Sequence, residues 1–332
     1  MGDAGAPRCI VGVDVGGTNV VVGTVHAERG DLYGLYQEPT RVAAGPEAVV
    51  AQIADMVKRS TADTATALKR APDVLGVGIG SPGPLDTKRG VVLVTPNLGW
   101  RNFPLRDRVG AATGLPATLD NDANCAIFGE WWRGAAKGAH HVIGLTIGTG
   151  IGGGIVLDGK IYHGASDIAG EFGHMTIDPA GRRCKCGNYG CLEAYASGPA
   201  IAARAREGVE AGVASRLGDY VRGNLEAVTA QVVYEAARDG DEHSQEVVKE
   251  TARLLGAGIA SLINIFNPDV VVICGGVTRA GDLLFVPLDA EVRRRAFRAA
   301  VEVCRIVPGT LTGTAGVYGA VASFTHQTGV AA

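Results

Sequence analysis

Three stretches of this 332-residue chain gather side chains able to do chemistry. In "TLDNDANCAIFGE", Asp120, Asn121, Asp122 and Asn124 crowd the point where an apolar run gives way to a helical pattern at about Ala123. Asp and Asn favour helix N-termini, so capping is one role open to them. The other is general-base catalysis on a sugar hydroxyl by Asp122, with Asn121 fixing neighbouring hydroxyls. A phosphoryl acceptor gives up its proton late, so a carboxylate of ordinary acidity suffices.

In "GEFGHMTIDPAGRRCKCGNYGCLE", His174 precedes Cys184, Cys186 and Cys191. Three thiols and an imidazole are the composition of a closed structural Zn²⁺ site, although the spacing is not that of a zinc finger. Reduced thiols without a metal are the alternative. Four protein ligands would leave no place for water, which argues against a catalytic zinc. Glu171 and Glu193 bracket the cluster, and a loop folded on zinc would bring both carboxylates near His174 to accept hydrogen bonds from adjacent hydroxyls. The remaining histidines, His26, His140, His141, His163, His243 and His326, lack such company and read as surface or packing residues. Trp131 and Trp132 read as core.

The third feature occurs twice. With Val11 of "VGVDVGGTNVVVGTV" placed over Ile143 of "IGLTIGTGIGGGIVL", Gly12 meets Gly144, Val15 meets Ile147 and Gly16 meets Gly148. A strand, a Gly/Thr turn and a second strand bring backbone N–H groups and a hydroxyl close to whatever lies over the turn. Each alone could be a plain β-turn. A matched pair, Gly16-Gly17-Thr18 and Thr149-Gly150, suits the phosphates of a nucleoside triphosphate, and Asp14 could hold Mg²⁺. There is no P-loop motif and no protein-kinase signature.

Elements to position these residues are readable around them. Ile10 to Val15, Val20 to Val25 and Leu32 to Tyr36 form a β-meander; Val49, Ile53, Met56 and Val57 share a helical face after Pro46; Leu75 to Gly80 is a strand before the loop "SPGPLD". The pattern restarts at His141, with a hairpin turn at Asp158-Gly159, a helical region from about Ala194 to Asn267, a buried strand in "DVVVIC", a turn at Gly275-Gly276 and a helix around Leu288 to Ala300. This order predicts an α/β protein of two lobes around a central cleft. The expected division is 1–120, with a C-terminal helix at about 313–332 returning to it, and 121–312, carrying the zinc-binding loop.

Composition is that of a globular chain, with 46% hydrophobic and 20% charged residues. The net charge of −3 and the lack of a basic block favour a small-molecule partner over nucleic acid or an anionic membrane. No signal peptide or membrane span is evident, so a cytoplasmic location is expected. Cys9, Cys125, Cys274 and Cys304 then read as small core residues.

"DVGGTN", "SPGPLD", "DNDAN", "GTGIGGG", "GEFGHM" and "CKCGNYGCLEAYASG", in this order over most of the chain, resemble the ROK sugar kinases, especially the bacterial ATP-dependent glucokinases. The resemblance implies an actin-like ATPase fold with ribonuclease-H-like sheets, and phosphorylation of glucose at its 6-hydroxyl with ATP and Mg²⁺. It implies Asp122 as the base and Gly83, Asn121, Glu171, His174 and Glu193 as sugar contacts. It places zinc on His174, Cys184, Cys186 and Cys191. Asp14, Gly16, Gly17, Thr18, Thr149 and Gly150 would serve the phosphates, and Gly275 and Gly276 would back the adenosine. A homodimer or homotetramer is implied as well. Polyphosphate-using relatives typically lack the cysteine cluster, which favours ATP. The alternatives are another hexose acceptor (N-acetylglucosamine, N-acetylmannosamine, mannose or fructose) or a non-catalytic sugar sensor. A DNA-binding repressor is not expected, because only thirteen residues precede Asp14.

Overall fold

The computed structural model describes residues 6–330; residues 1–5 of the expected first lobe and 331–332 of the expected C-terminal helix lie outside them. The opening meander forms as predicted, from β1 (Arg8–Val15), β2 (Asn19–His26) and β3 (Leu32–Pro39). Helix Pro46–Leu68 starts on Pro46 and buries Val49, Ile53, Met56 and Val57. β4 (Asp73–Ser81) then pairs parallel to β1. β5 (Leu85–Asp86), β6 (Val91–Thr95) and β7 (Trp100–Phe103) form a small separate sheet, and β8 (Ala117–Asn121) closes the main one in the order β3-β2-β1-β4-β8.

A second sheet contains β9 (Val142–Ile147), β10 (Ile151–Leu157), β11 (Lys160–Ile161), β12 (Val270–Cys274) and β13 (Arg305–Pro308), in the order β11-β10-β9-β12-β13. Counted from its own first strand, each five-stranded sheet reads 3-2-1-4-5. β1 and β9 are therefore equivalent central strands, which is the structural content of the repeat in the sequence. The predicted helical region from Ala194 to Asn267 is not continuous. Helices Glu193–Ala196 and Gly198–Glu210 are parted by an extended Ser197, and the latter is separated from Leu217–Tyr220, Ala230–Arg238 and Glu242–Phe266 in turn by loops at Gly212, Gly223 and Gly240, all at positive φ. The helix expected near Leu288 to Ala300 is Asp282–Arg295 followed by Arg298–Val303, the chain being extended at Ala296.

The described residues divide into two compact units, 6–138 with 154–170 and 310–330, and 139–153 with 171–309. The first boundary thus falls after 138 and not at the expected 120/121. Helix Asp122–Arg133 stays in the first unit because it packs along the C-terminal helix Ala315–Thr328. Among the described residues no helix is long and apolar enough to cross a membrane.

The first unit's sheet is covered on both faces, as the alternation along β1 requires. Val11, Val13 and Val15 face helix Pro46–Leu68 with Ile53 and Met56, while Ile10 faces the C-terminal helix with Val25, Val317, Val321 and Phe324. That helix lies unusually close to the sheet. Gly12 and Gly78 sit side by side in β1 and β4, and a Cβ on either would collide with a carbonyl of the helix, that of Val317 or Ala320. On its flank, a Cβ on Gly319 would overlap the Cys125 carbonyl.

Since both neighbours are backbone, relief requires moving a helix. Gly319→Ala is expected to destabilise the protein by about 1–3 kcal/mol or more, seen as a lowered midpoint of thermal unfolding. Gly218→Ala, where nothing lies within 4 Å, is the control and is expected to change stability by less than about 0.5 kcal/mol.

Candidate active site

The first unit assembles its polar residues where β8 hands over to helix Asp122–Arg133. Asn121 is the N-cap: its Oδ1 accepts from the backbone N–H groups of Ala123 (2.9 Å) and Asn124 (3.1 Å). Capping and recognition are thus compatible roles, because capping engages Oδ1 while a Cβ built on Gly83 would lie 3.6 Å from Asn121 Nδ2. Asp122, half-buried, opens the helix, and its Oδ1 accepts from Ala123 N–H at 2.8 Å.

Asp14, the penultimate residue of β1, lies against the first turn of the C-terminal helix, where its carboxylate occupies the space that a side chain on Gly316 would need. Burial, then the neighbouring Asp122 carboxylate, pushes the Asp14 acid up to about 7. A cation beside a buried carboxylate raised in this way would favour its charged form. Beyond Asp14, Gly16 N–H donates to Asn19 carbonyl (2.8 Å) and Thr40 Oγ1 donates to Gly16 carbonyl (2.6 Å), which holds the turn while Gly17 and Thr18 stay exposed.

One set of residues here was not foreseen. Asp120 is buried and accepts from Asn121 N–H (2.8 Å), from Ser323 Oγ of the C-terminal helix (2.5 Å) and from His163 Nε2 (3.0 Å). His163 is therefore not the uncompanioned histidine expected from the sequence; the Asp120 hydrogen bond raises its pKa above the ordinary value. Four residues on, Asp167 accepts from both the N–H and the hydroxyl of Thr87, each at 2.9 Å. The segment after β11 is thus pinned twice. Nothing in "YHGASD" announces this, because both partners are about 80 or 43 residues away.

In the second unit, ligand atoms of His174, Cys184, Cys186 and Cys191 all lie within 4.8 Å of one another. Cys186 and Cys191 Sγ are 3.7 Å apart, and Cys184 Sγ is 3.8 Å from His174 Nδ1. All seven cysteines are free thiols, and the four outside the cluster are buried as expected. Glu171 is exposed just before the short turn Phe172–His174, and Glu193 begins helix Glu193–Ala196. Thr149 is exposed in the turn between β9 and β10.

Beside that turn opens a cavity of about 790 Å³ lined by Thr149, Gln231, Tyr234, Gly276 and Arg279 among others. Gly275, at φ 95°, turns the chain tightly against the end of β9, where a Cβ would collide with the Ile147 carbonyl. Tyr234 is buried and its hydroxyl has no hydrogen-bond partner among the described residues. Gln231 and Tyr234 sit on one face of an ordinary helix, and no sequence signal distinguished them.

The profile of the ROK family matches residues 10–327. A glucokinase of Halalkalibacterium halodurans is 39% identical over 314 residues, covering 94% of this chain and 93% of that protein. A glucokinase of Thermotoga maritima is 37% identical, covering 96% and 98%. The crystal structure of a ROK family glucokinase from Streptomyces griseus in complex with glucose and AMPPNP superposes with a TM-score of 0.79 at 36% identity, over 96% of this chain and 99% of that one. The fold is therefore the actin-like ATPase fold that the motifs implied.

The His163–Asp120 pair has a pH signature. Because folding raises the His163 pKa, its ionic contribution is complete below about pH 6.5 and is lost as pH rises through the raised value. The stability difference between wild type and His163→Gln is expected to be largest near pH 5.5 and to narrow towards about pH 8.5, measured by urea unfolding. A difference independent of pH would mean that folding leaves the His163 pKa where it stands in the unfolded chain.

Proposed function

This chain belongs to the ROK family, and on that premise we propose that it transfers the γ-phosphoryl group of ATP to the 6-hydroxyl of glucose. The observation that carries the reading is the placement of Asp122 at the head of its helix beside Asp14 at the end of β1. A base for the acceptor hydroxyl stands next to a carboxylate suited to a cation. The glucokinases similar over nearly the whole chain support glucose among the hexoses.

In this mechanism the 6-hydroxyl oxygen attacks the γ-phosphorus in line, Asp122 accepts its proton, and the bond to the bridging oxygen breaks to leave ADP; no phosphoenzyme forms. Asn121 Nδ2 and the open space at Gly83 receive sugar hydroxyls, with Glu171, His174 and Glu193 as further contacts. The turns at Gly16-Gly17-Thr18 and Thr149-Gly150 offer N–H groups and hydroxyls to the phosphates. The adenosine occupies the cavity backed by Gly275-Gly276. Asp14 suits Mg²⁺, which supplies charge neutralisation of the phosphates.

The cysteine cluster fits zinc on its own dimensions. A tetrahedral site with Zn–S bonds of about 2.3 Å and Zn–N bonds of about 2.0 Å sets sulfurs about 3.8 Å apart and sulfur about 3.6 Å from nitrogen; Cys186 and Cys191 Sγ are 3.7 Å apart, Cys184 Sγ is 3.8 Å from His174 Nδ1, and all four ligand atoms lie within 4.8 Å of one another. His174 would bind through Nδ1, which leaves Nε2 for the sugar. Free thiols throughout suit a reducing cytoplasm. A homodimer or homotetramer, without nucleic-acid or membrane partners, completes the reading.

Asp122→Ala is expected to lower turnover by about 10²–10⁴-fold while glucose still binds, measured by glucose-dependent ADP release and calorimetry; near-normal turnover would remove Asp122 as the base. Cys184→Ser is expected to lose zinc by elemental analysis and to weaken glucose binding. A fully active, metal-free variant would make the cluster incidental.

A further inference from the structure

Glu193 occupies a junction that sugar binding alone does not explain. Its Oε2 accepts from Ile151 N–H at 2.8 Å, immediately after the Thr149-Gly150 turn, while its Oε1 is 4.0 Å from Cys184 Sγ. The approach is so close that a Cβ on Gly150 would lie 2.6 Å from the same Oε2. The rest of the turn is gripped from the same part of the chain. Gly198 N–H donates to the Gly148 carbonyl at 2.8 Å, and Gly173, next to His174, leaves room for the Ile151 carbonyl. The backbone at Gly148, Gly150 and Ile151 is thus set by residues within or flanking the cysteine loop.

We propose that Glu193 is a positioning residue for the nucleotide: by holding Ile151 N–H it fixes the peptide orientation of the Thr149-Gly150 turn, so that the cysteine loop governs nucleotide affinity as well as sugar affinity. The inference rests on the reading that this turn takes the phosphates. A carboxylate accepting a backbone N–H makes a charge-assisted bond. Without it, the first residue of β10 loses the acceptor that anchors it and the turn is free to reorient. The acceptor oxygen and its reach are what matter, which separates three substitutions. Glu193→Gln keeps both, Glu193→Asp keeps the charge but is one methylene short, and Glu193→Leu keeps neither.

The test is calorimetric titration of the zinc-loaded variants with Mg-AMPPNP and, separately, with glucose, alongside zinc analysis and the KM values for ATP and glucose. Full zinc content is expected in the Gln and Asp variants. The Kd for AMPPNP should stay within about threefold of wild type in Glu193→Gln and rise about tenfold or more in Glu193→Asp and Glu193→Leu, with the KM for ATP following. An unchanged AMPPNP Kd in Glu193→Asp, with only glucose weakened, overturns the proposal and leaves Glu193 a sugar contact. Equal loss in the Gln and Asp variants also overturns it. If Glu193→Leu does not fold, the comparison of Gln with Asp decides alone. Wild-type protein that binds no AMPPNP would overturn the kinase reading itself, and this inference with it.

Discussion

The close seating of the C-terminal helix is the constraint on which the first unit's chemistry depends. One face of that helix reads Gly316, Gly319, Ser323 and Gln327, at the spacing that places residues in a line. Gly316 leaves room for the Asp14 carboxylate, Gly319 for the Cys125 carbonyl, Ser323 donates to Asp120, and Gln327 donates to the Leu119 carbonyl. A single helical face therefore touches the end of β1, the helix headed by Asp122 and the end of β8. Side chains of ordinary size would hold these elements apart, and dispersion contacts fall off steeply with separation. Glu130, buried, extends the same fixation by accepting from the N–H groups of Ala135, Thr310 and Leu311 where the chain approaches this helix.

The two Gly/Thr turns show what a repeated fold preserves. Both follow the central strand of a 3-2-1-4-5 sheet, and in both the strand is paired on its parallel side through a glycine, Gly12 with Gly78 and Gly144 with Val272. Their supports differ. The first turn is held by the hydroxyl and the backbone N–H of Thr40, the second by a carboxylate and by Gly198. Backbone geometry is the shared property, since N–H groups offered to phosphate need only the right direction, and each half reaches it with unrelated side chains.

What was legible in the sequence followed from local pattern. The β-meander, the amphipathic helix after Pro46, the Asp122 junction and the His/Cys₃ set all announce themselves within windows of about twenty residues, where periodicity and ligand spacing operate. What escaped was created by contacts between distant segments. His163 gained a role only because β8 brings Asp120 to it, and the cavity wall at Tyr234 looks like any helix interior. The boundary after 138 followed from packing against a helix nearly two hundred residues later, which no composition shift marks. β6 and β7 were missed because strands of five and four residues carry too little alternation to register.

The interleaving of the chain bears on how the protein is made. The first unit's sheet is complete by β8, yet one of its faces stays bare until residues 310–330 have been synthesised, after the whole second unit. Ile10, Val25 and the two sheet glycines wait exposed for most of translation, at a stage when N-terminal domains of other chains have already folded. The nascent first half must therefore stay soluble with one of its two cores unformed, and a ribosome that stops before Ala315 leaves a sheet with an open hydrophobic face, a substrate for chaperones and proteases.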